Sequence, residues 1–153
     1  MTKNHSFYSK LLSLCLIFLG FGAYSGCGRH EYGSPYAKYK ISGKVVANDA
    51  QGQPIKNIKV SLTQYYELQY PLPPVLPPVT TDANGRFSIQ GQAYSRPTAL
   101  LFEDIDGPEN GSFTNLIQDI TFQPSDFMGG GKGWYEGEAS RDLGTIKLNP
   151  EQE

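Results

Sequence analysis

The densest group of residues able to do chemistry is Glu103-Asp104-Ile105-Asp106-Gly107-Pro108-Glu109-Asn110. Calcium takes about six to eight oxygen ligands, and Asp104, Asp106, Glu109 and Asn110 could offer several from one loop. The glycine, however, falls directly after the second Asp, not where an EF-hand loop places it, and no bidentate Glu closes the site at the required spacing. The competing reading is a solvated hairpin, because Asp106-Gly107 and Asn110-Gly111 are both strong turn dipeptides. Calcium is thus the one cofactor these residues suggest, with no other metal or cofactor expected.

The other routes to chemistry are poorer. A nucleophile needs a base within reach, and beyond residue 26 the only histidine is His30; no G-x-S-x-G occurs. One Cys and one His have no zinc-ligand spacing. Gly131-Lys132-Gly133 lacks the Ser or Thr that a phosphate-binding loop puts after its Lys. Glycoside hydrolysis would need two carboxylates across a cleft, and spacing alone cannot set Glu103 against Glu136 or Glu138. Trp134, Tyr135 and the Tyr65-Tyr66 pair could form an aromatic sugar platform, though aromatic side chains in β-proteins mostly fill cores and edges. The expectation is a protein that is not an enzyme.

That leaves the thiol of Cys27. Lys3 and Lys10 precede a nearly unbroken apolar run over residues 11–23 (LLSLCLIFLGFGA), with no acid in between. At ~1.5 Å rise per residue the run reaches ~20 Å, short of a ~30 Å hydrocarbon core, so it reads as the apolar region of an export signal. A short buried helix is the alternative, but no polar residue alternates through the run to give it a solvent face. Cys15 would leave with the leader, so Cys27 would stand alone and no internal disulfide could form. Tyr24-Ser25-Gly26-Cys27 resembles a lipobox, in which small side chains let the peptidase approach and the thiolate takes diacylglycerol. The pattern usually has Leu or another aliphatic residue where this chain has Tyr24. An ordinary signal cleaved nearby, with Cys27 a bystander, is the competing reading. Acylation implies firm membrane attachment, at ~0.8 kcal/mol per buried CH₂. Gly28, with no Asp beside the cysteine, points to the outer membrane of a cell envelope.

The elements that must carry these residues are strands. Seventeen Gly and 11 Pro, with ten Tyr and eight Phe, favour strands joined by turns. Thirteen Lys+Arg against 15 Asp+Glu give no electrostatic footprint for nucleic acid. The expected organisation is a signal over 1–26, a lipidated tether over 27–37, a β-domain over 38–149 and a polar tail over 150–153. In the first strand Tyr39, Ile41, Gly43, Val45 and Ala47 share one face, with Lys38, Lys40, Ser42 and Lys44 opposite. In the second, Ile58, Val60 and Leu62 oppose Lys59, Ser61 and Thr63. The proline-rich segment 70–78 reads as a stiff connector at the sheet margin, crossing between sheets. Asp82-Ala83-Asn84-Gly85 reads as a tight turn with Asn84 and Gly85 able to take positive φ, feeding Phe87 and Ile89 into the core. Further strands are expected over 98–102, 118–122 and 144–148, with 129–133 a flexible loop. The fold class is therefore all-β, a small antiparallel β-sandwich.

Three pieces resemble the carboxypeptidase regulatory-like (transthyretin-like) domain: Lys40-Ile41-Ser42-Gly43-Lys44-Val45-Val46, then Gly52-Gln53-Pro54-Ile55-Lys56-Asn57-Ile58-Lys59-Val60, then Thr81-Asp82-Ala83-Asn84-Gly85-Arg86-Phe87. The resemblance spans about residues 38–90 and implies a transthyretin-like or Ig-like sandwich. More narrowly, Tyr32-Gly33-Ser34-Pro35-Tyr36-Ala37 after the cysteine, with Asp104-Ile105-Asp106-Gly107 and Asn110-Gly111, resembles the lipoproteins of a Bacteroidetes radical SAM/lipoprotein system. That resemblance implies a fold, an envelope address and a radical SAM enzyme as neighbour, partner or modifying enzyme. It offers no catalytic residues to carry over.

Overall fold

The computed structural model describes residues 10–12, 14, 33–64 and 73–151. The chain divides into two compact units, Met1–Tyr32 and Gly33–Glu153. In the first unit residues 10–12 and 14 are helical, and Leu11, Leu12 and Leu14 are exposed. Among the described residues no helix is long and apolar enough to cross a membrane. Tyr24, Ser25, Gly26, Cys27, His30 and Tyr32 lie outside the described residues, as do Tyr65, Tyr66 and the start of the proline-rich segment.

The second unit is an all-β sandwich of two four-stranded sheets. Its strands are β1 (Tyr36–Ala47), β2 (Ile58–Thr63), β3 (Val79–Thr80), β4 (Arg86–Ala93), β5 (Ala99–Asp104), β6 (Leu116–Asp119), β7 (Phe127–Met128) and β8 (Tyr135–Leu148). The first sheet runs β4-β1-β8-β7 and the second β3-β2-β5-β6. The inward row of β1 is the alternating set read from sequence: Tyr39, Ile41, Val45 and Ala47 are all buried. They meet Ile58, Val60, Leu62, Leu100 and Phe102 from the second sheet in one apolar core. Residues of alternate position share a face of a strand, so a period of two in apolarity suffices to build each inner face.

One pairing is parallel. β1 and β8, the first and last strands, run side by side from Tyr36 opposite Tyr135 to Ala47 opposite Leu148. A parallel pair needs a long crossover, and nearly the whole domain lies between these two strands. The remaining strand pairs are antiparallel.

The T-D-x-x-G-x-F segment is a set of staples. The Thr81 hydroxyl is buried; it accepts from the Ile58 amide at 3.0 Å and donates to the Ile55 carbonyl at 2.8 Å. Asp82 Oδ1 accepts from the amides of Asn84 and Arg86, both at 2.8 Å, closing the turn. Gly85 has φ +71° and its carbonyl accepts from the Val45 amide at 2.7 Å. Of the two residues able to take positive φ, Gly85 does so and Asn84 does not. Phe87 and Ile89 then bury as the alternation requires, Phe87 edge-on to Phe102 with ring centres 5.7 Å apart.

The proline-rich connector does not make the expected crossing between sheets: it joins β2 to β3 of the same sheet, and over its described part it lies against both sheets. Val75 donates to the Leu62 carbonyl of β2 at 2.8 Å, and Leu76 is buried against Gly91 of β4. Other boundaries differ from expectation. Pairing in β6 ends at Asp119, although Ile120 and Phe122 continue the buried alternation outside the ladder. β8 begins at Tyr135, nine residues before the expected strand. Its inward positions there are Gly137 and Ala139, small residues that give no apolar signal in sequence. Lys59, Ser61 and Thr63 form no solvent face: Ser61 and Thr63 are buried. β1 starts within the expected tether, and Glu151 of the expected tail donates to the Ser112 carbonyl at 2.9 Å.

Candidate functional site

The acidic loop connects β5 to β6 and holds a short 3-10 turn, Gly107–Asn110. Both glycines of its turn dipeptides adopt positive φ, Gly107 at +58° and Gly111 at +91°. Asp104 ends β5 with its carboxylate turned back on the loop. Its Oδ1 accepts from the amides of Asp106 and Gly107, each at 3.2 Å, and its Oδ2 from Phe113 at 3.0 Å. Asp106 Oδ2 accepts from Asn57 Nδ2 at 2.8 Å and from Asn110 Nδ2. Asn57 reaches it from a left-handed backbone, φ +60°, a region Asn tolerates better than most residues. Glu109 is exposed, and Glu103 pairs with Lys59 across the strands at 2.8 Å.

So the structure gathers Asp104, Asp106 and Asn110, leaves Glu109 facing solvent, and directs the gathered acceptors at N–H groups of the loop and of Asn57. Among the described residues no three or more His, Cys, Asp or Glu side chains converge as a metal group. Hydrogen bonds to the charged form, first from Asn57, hold the Asp106 carboxyl below its ordinary range. A group with a depressed folded-state pKa stabilises the fold above its unfolded-state pKa and loses that contribution as pH falls through the folded value. The urea midpoint of Asp106→Ala should therefore lie below that of the unsubstituted protein at pH 7. The gap should narrow progressively below about pH 4. A gap independent of pH over that range would contradict the assignment.

The exposed aromatic side chains gather elsewhere, at one end of the first sheet. Tyr94 follows β4, Tyr36 opens β1 and Tyr135 opens β8, so pairing register lays three tyrosines from adjacent strands in a row. Ring centres are 6.0 Å apart for Tyr94–Tyr36 and 5.3 Å for Tyr36–Tyr135. The Lys38 ammonium lies 6.0 Å from the Tyr135 ring centre. Trp134 precedes the row, and its carbonyl accepts from the Tyr36 amide at 2.9 Å. Gly33 crosses the edge of the indole so closely that a Cβ there would overlap the ring. Trp134 is 40% exposed, Tyr94 66% and Met128, outward on the edge strand, 72%. Trp134 and Tyr135 belonged to the expected aromatic surface; Tyr36 and Tyr94 did not, because only strand register brings them there.

Behind this row the sandwich end is closed by aromatic packing and ion pairs. Tyr39 lies edge-on to Phe122 and Phe127, with centres 5.1 and 5.9 Å away. Arg96 pairs with Glu136 at 3.1 Å and covers the Phe127 ring; Arg141 pairs with Asp126 at 2.8 Å and covers Phe122. Burial raises the Tyr39 phenol, partly offset by the Arg96 charge. Glu136 is therefore held by Arg96 on the first sheet, whereas Glu103 is held by Lys59 on the second. Of the three carboxylates considered for a hydrolytic pair, Glu103 lies on the second sheet, whereas Glu136 and the exposed Glu138 both lie on β8 of the first.

No family model matches the chain, and a search of curated proteins also returns no match.

Proposed function

We propose that the chain is an exported lipoprotein, acylated at Cys27, whose β-sandwich works as a non-catalytic interaction or accessory module of a radical SAM system at the outer membrane. The observation that carries this reading is the apolar run over residues 11–23, too short to span a bilayer and followed by Ser25-Gly26-Cys27. The fold is compatible with it: β1 begins at Tyr36, so the folded module starts within ten residues of the cysteine. The acidic loop is compatible with a non-catalytic module, since its Asp104 carboxylate caps its own hairpin and Asp106 holds Asn57 and Asn110.

Intact mass of the protein extracted from its native membranes tests the proposal. The expected mass is that of residues 27–153 carrying diacylglycerol on the Cys27 sulfur, with or without a further acyl chain on the amine. An unlipidated chain beginning at another residue would overturn it. A further discrete shift on the lipidated chain would make the protein a substrate of the radical SAM enzyme and replace the accessory role.

A further inference from the structure

We propose that the row Tyr94–Tyr36–Tyr135, with Trp134 and Met128, lies against the lipid headgroup layer and docks the sandwich on the membrane that holds it. The inference rests on the lipoprotein reading and adds a second, non-covalent contact to it. Its occupant follows from chain length. From Cys27 to Gly33 there are six residue steps, which span at most ~20 Å fully extended. Gly33 runs over the Trp134 indole itself. An acyl chain on Cys27 therefore keeps Gly33, and with it the Trp134 end of the domain, within ~20 Å of the bilayer surface, a reach that lets this end settle on the headgroup layer.

The side chains at this end suit that environment. Trp and Tyr rings concentrate at membrane–water boundaries, because each presents an apolar body and a polar tip. Elsewhere the outward face of this sheet is polar: Lys38, Lys40 and Lys44 on β1, Ser88, Gln90 and Gln92 on β4. On the first sheet, the large exposed side chains Tyr94, Trp134 and Met128 thus lie at the end where the chain arrives, while exposed Ile105 and Ile117 belong to the second sheet and its loop. Met128 sits in register with Glu138, Lys38 and Gln92, one step inward from the tyrosine row. Lys38, whose ammonium lies over the Tyr135 ring, and the exposed Lys132 can extend ammonium groups to lipid phosphates. Among acids nearby, Glu136 is neutralised by Arg96, leaving Glu138 as an opposing charge.

Trp134 is the sole tryptophan, so it reports on this surface without labelling. The lipidated protein would be reconstituted into phosphatidylethanolamine and phosphatidylglycerol vesicles, some with brominated acyl chains. Bromolipid should quench Trp134 emission about twofold and shift it to shorter wavelength, as for an indole at the interface. The exposed double variant Tyr94→Ser, Met128→Gln should weaken the quenching while leaving vesicle retention unchanged. Retention without any quenching would overturn the docking but leave the lipid anchor standing, and would free the surface for a glycan or protein. Failure to sediment with vesicles at all would overturn both.

Discussion

Gly85→Ala should lower the stability of the sandwich by about 3 kcal/mol or more, read as the shift of the urea midpoint at unchanged slope. Two independent costs combine at this residue. Its φ of +71° is a left-handed conformation, which costs an L side chain about 1–2 kcal/mol. A Cβ on Gly85 would also overlap the Val45 carbonyl oxygen and crowd the amide of Ile55 and the ring of Pro54. That carbonyl cannot move aside cheaply, because it accepts from the Ile55 amide at 3.1 Å. Gly85 and Val45 meet again through the Val45 amide, so any shift of the turn strains the strand at the centre of the first sheet. Gly52→Ala is the internal control. Gly52 has φ +58° but open space where a Cβ would stand, so only the backbone cost of about 1–2 kcal/mol applies. Equal losses at the two glycines would show that the contact with Val45 carries no energy.

This turn shows what was readable in the chain and why. Thr81, Asp82, Gly85 and Phe87 act within one turn, and the alternation of β1 and β2 is local as well, so short-range pattern reveals them. The proline-rich segment was legible as a connector outside the ladders, through the missing amides of its prolines, but its return to the same sheet was not, because that depends on the β2–β3 pairing. What stayed hidden depends on pairing between distant segments. The parallel match of β1 with β8 leaves no trace in either strand alone, and the first half of β8 turns Gly137 and Ala139 inward, where small residues mimic a loop. The buried outer face of Ser61 and Thr63 was misread because covering a polar face requires a neighbour no local pattern reveals. In the acidic loop, composition allowed a cation as well as a hairpin. Asn57, nearly fifty residues from its hydrogen-bond partner Asp106, entered neither reading. The tyrosine row is the clearest case: Tyr36 and Tyr94 belong together only through the β1–β4 register.

The largest effect expected anywhere in the chain is at one sulfur atom. Only a thiolate can take the diacylglycerol in the proposed attachment, and a serine hydroxyl at the same position does not ionise at neutral pH. Each buried CH₂ contributes ~0.8 kcal/mol, so losing the acyl chains removes essentially all covalent anchoring at once; aromatic contacts alone would hold the domain only weakly. The direct test is Cys27→Ser followed by radiolabelled palmitate and membrane fractionation, with Cys15→Ser as the parallel control. The expected result is complete loss of label and release from the membrane fraction for Cys27→Ser, with Cys15→Ser unchanged. Undiminished palmitate on Cys27→Ser, still in the membrane fraction, would contradict the account.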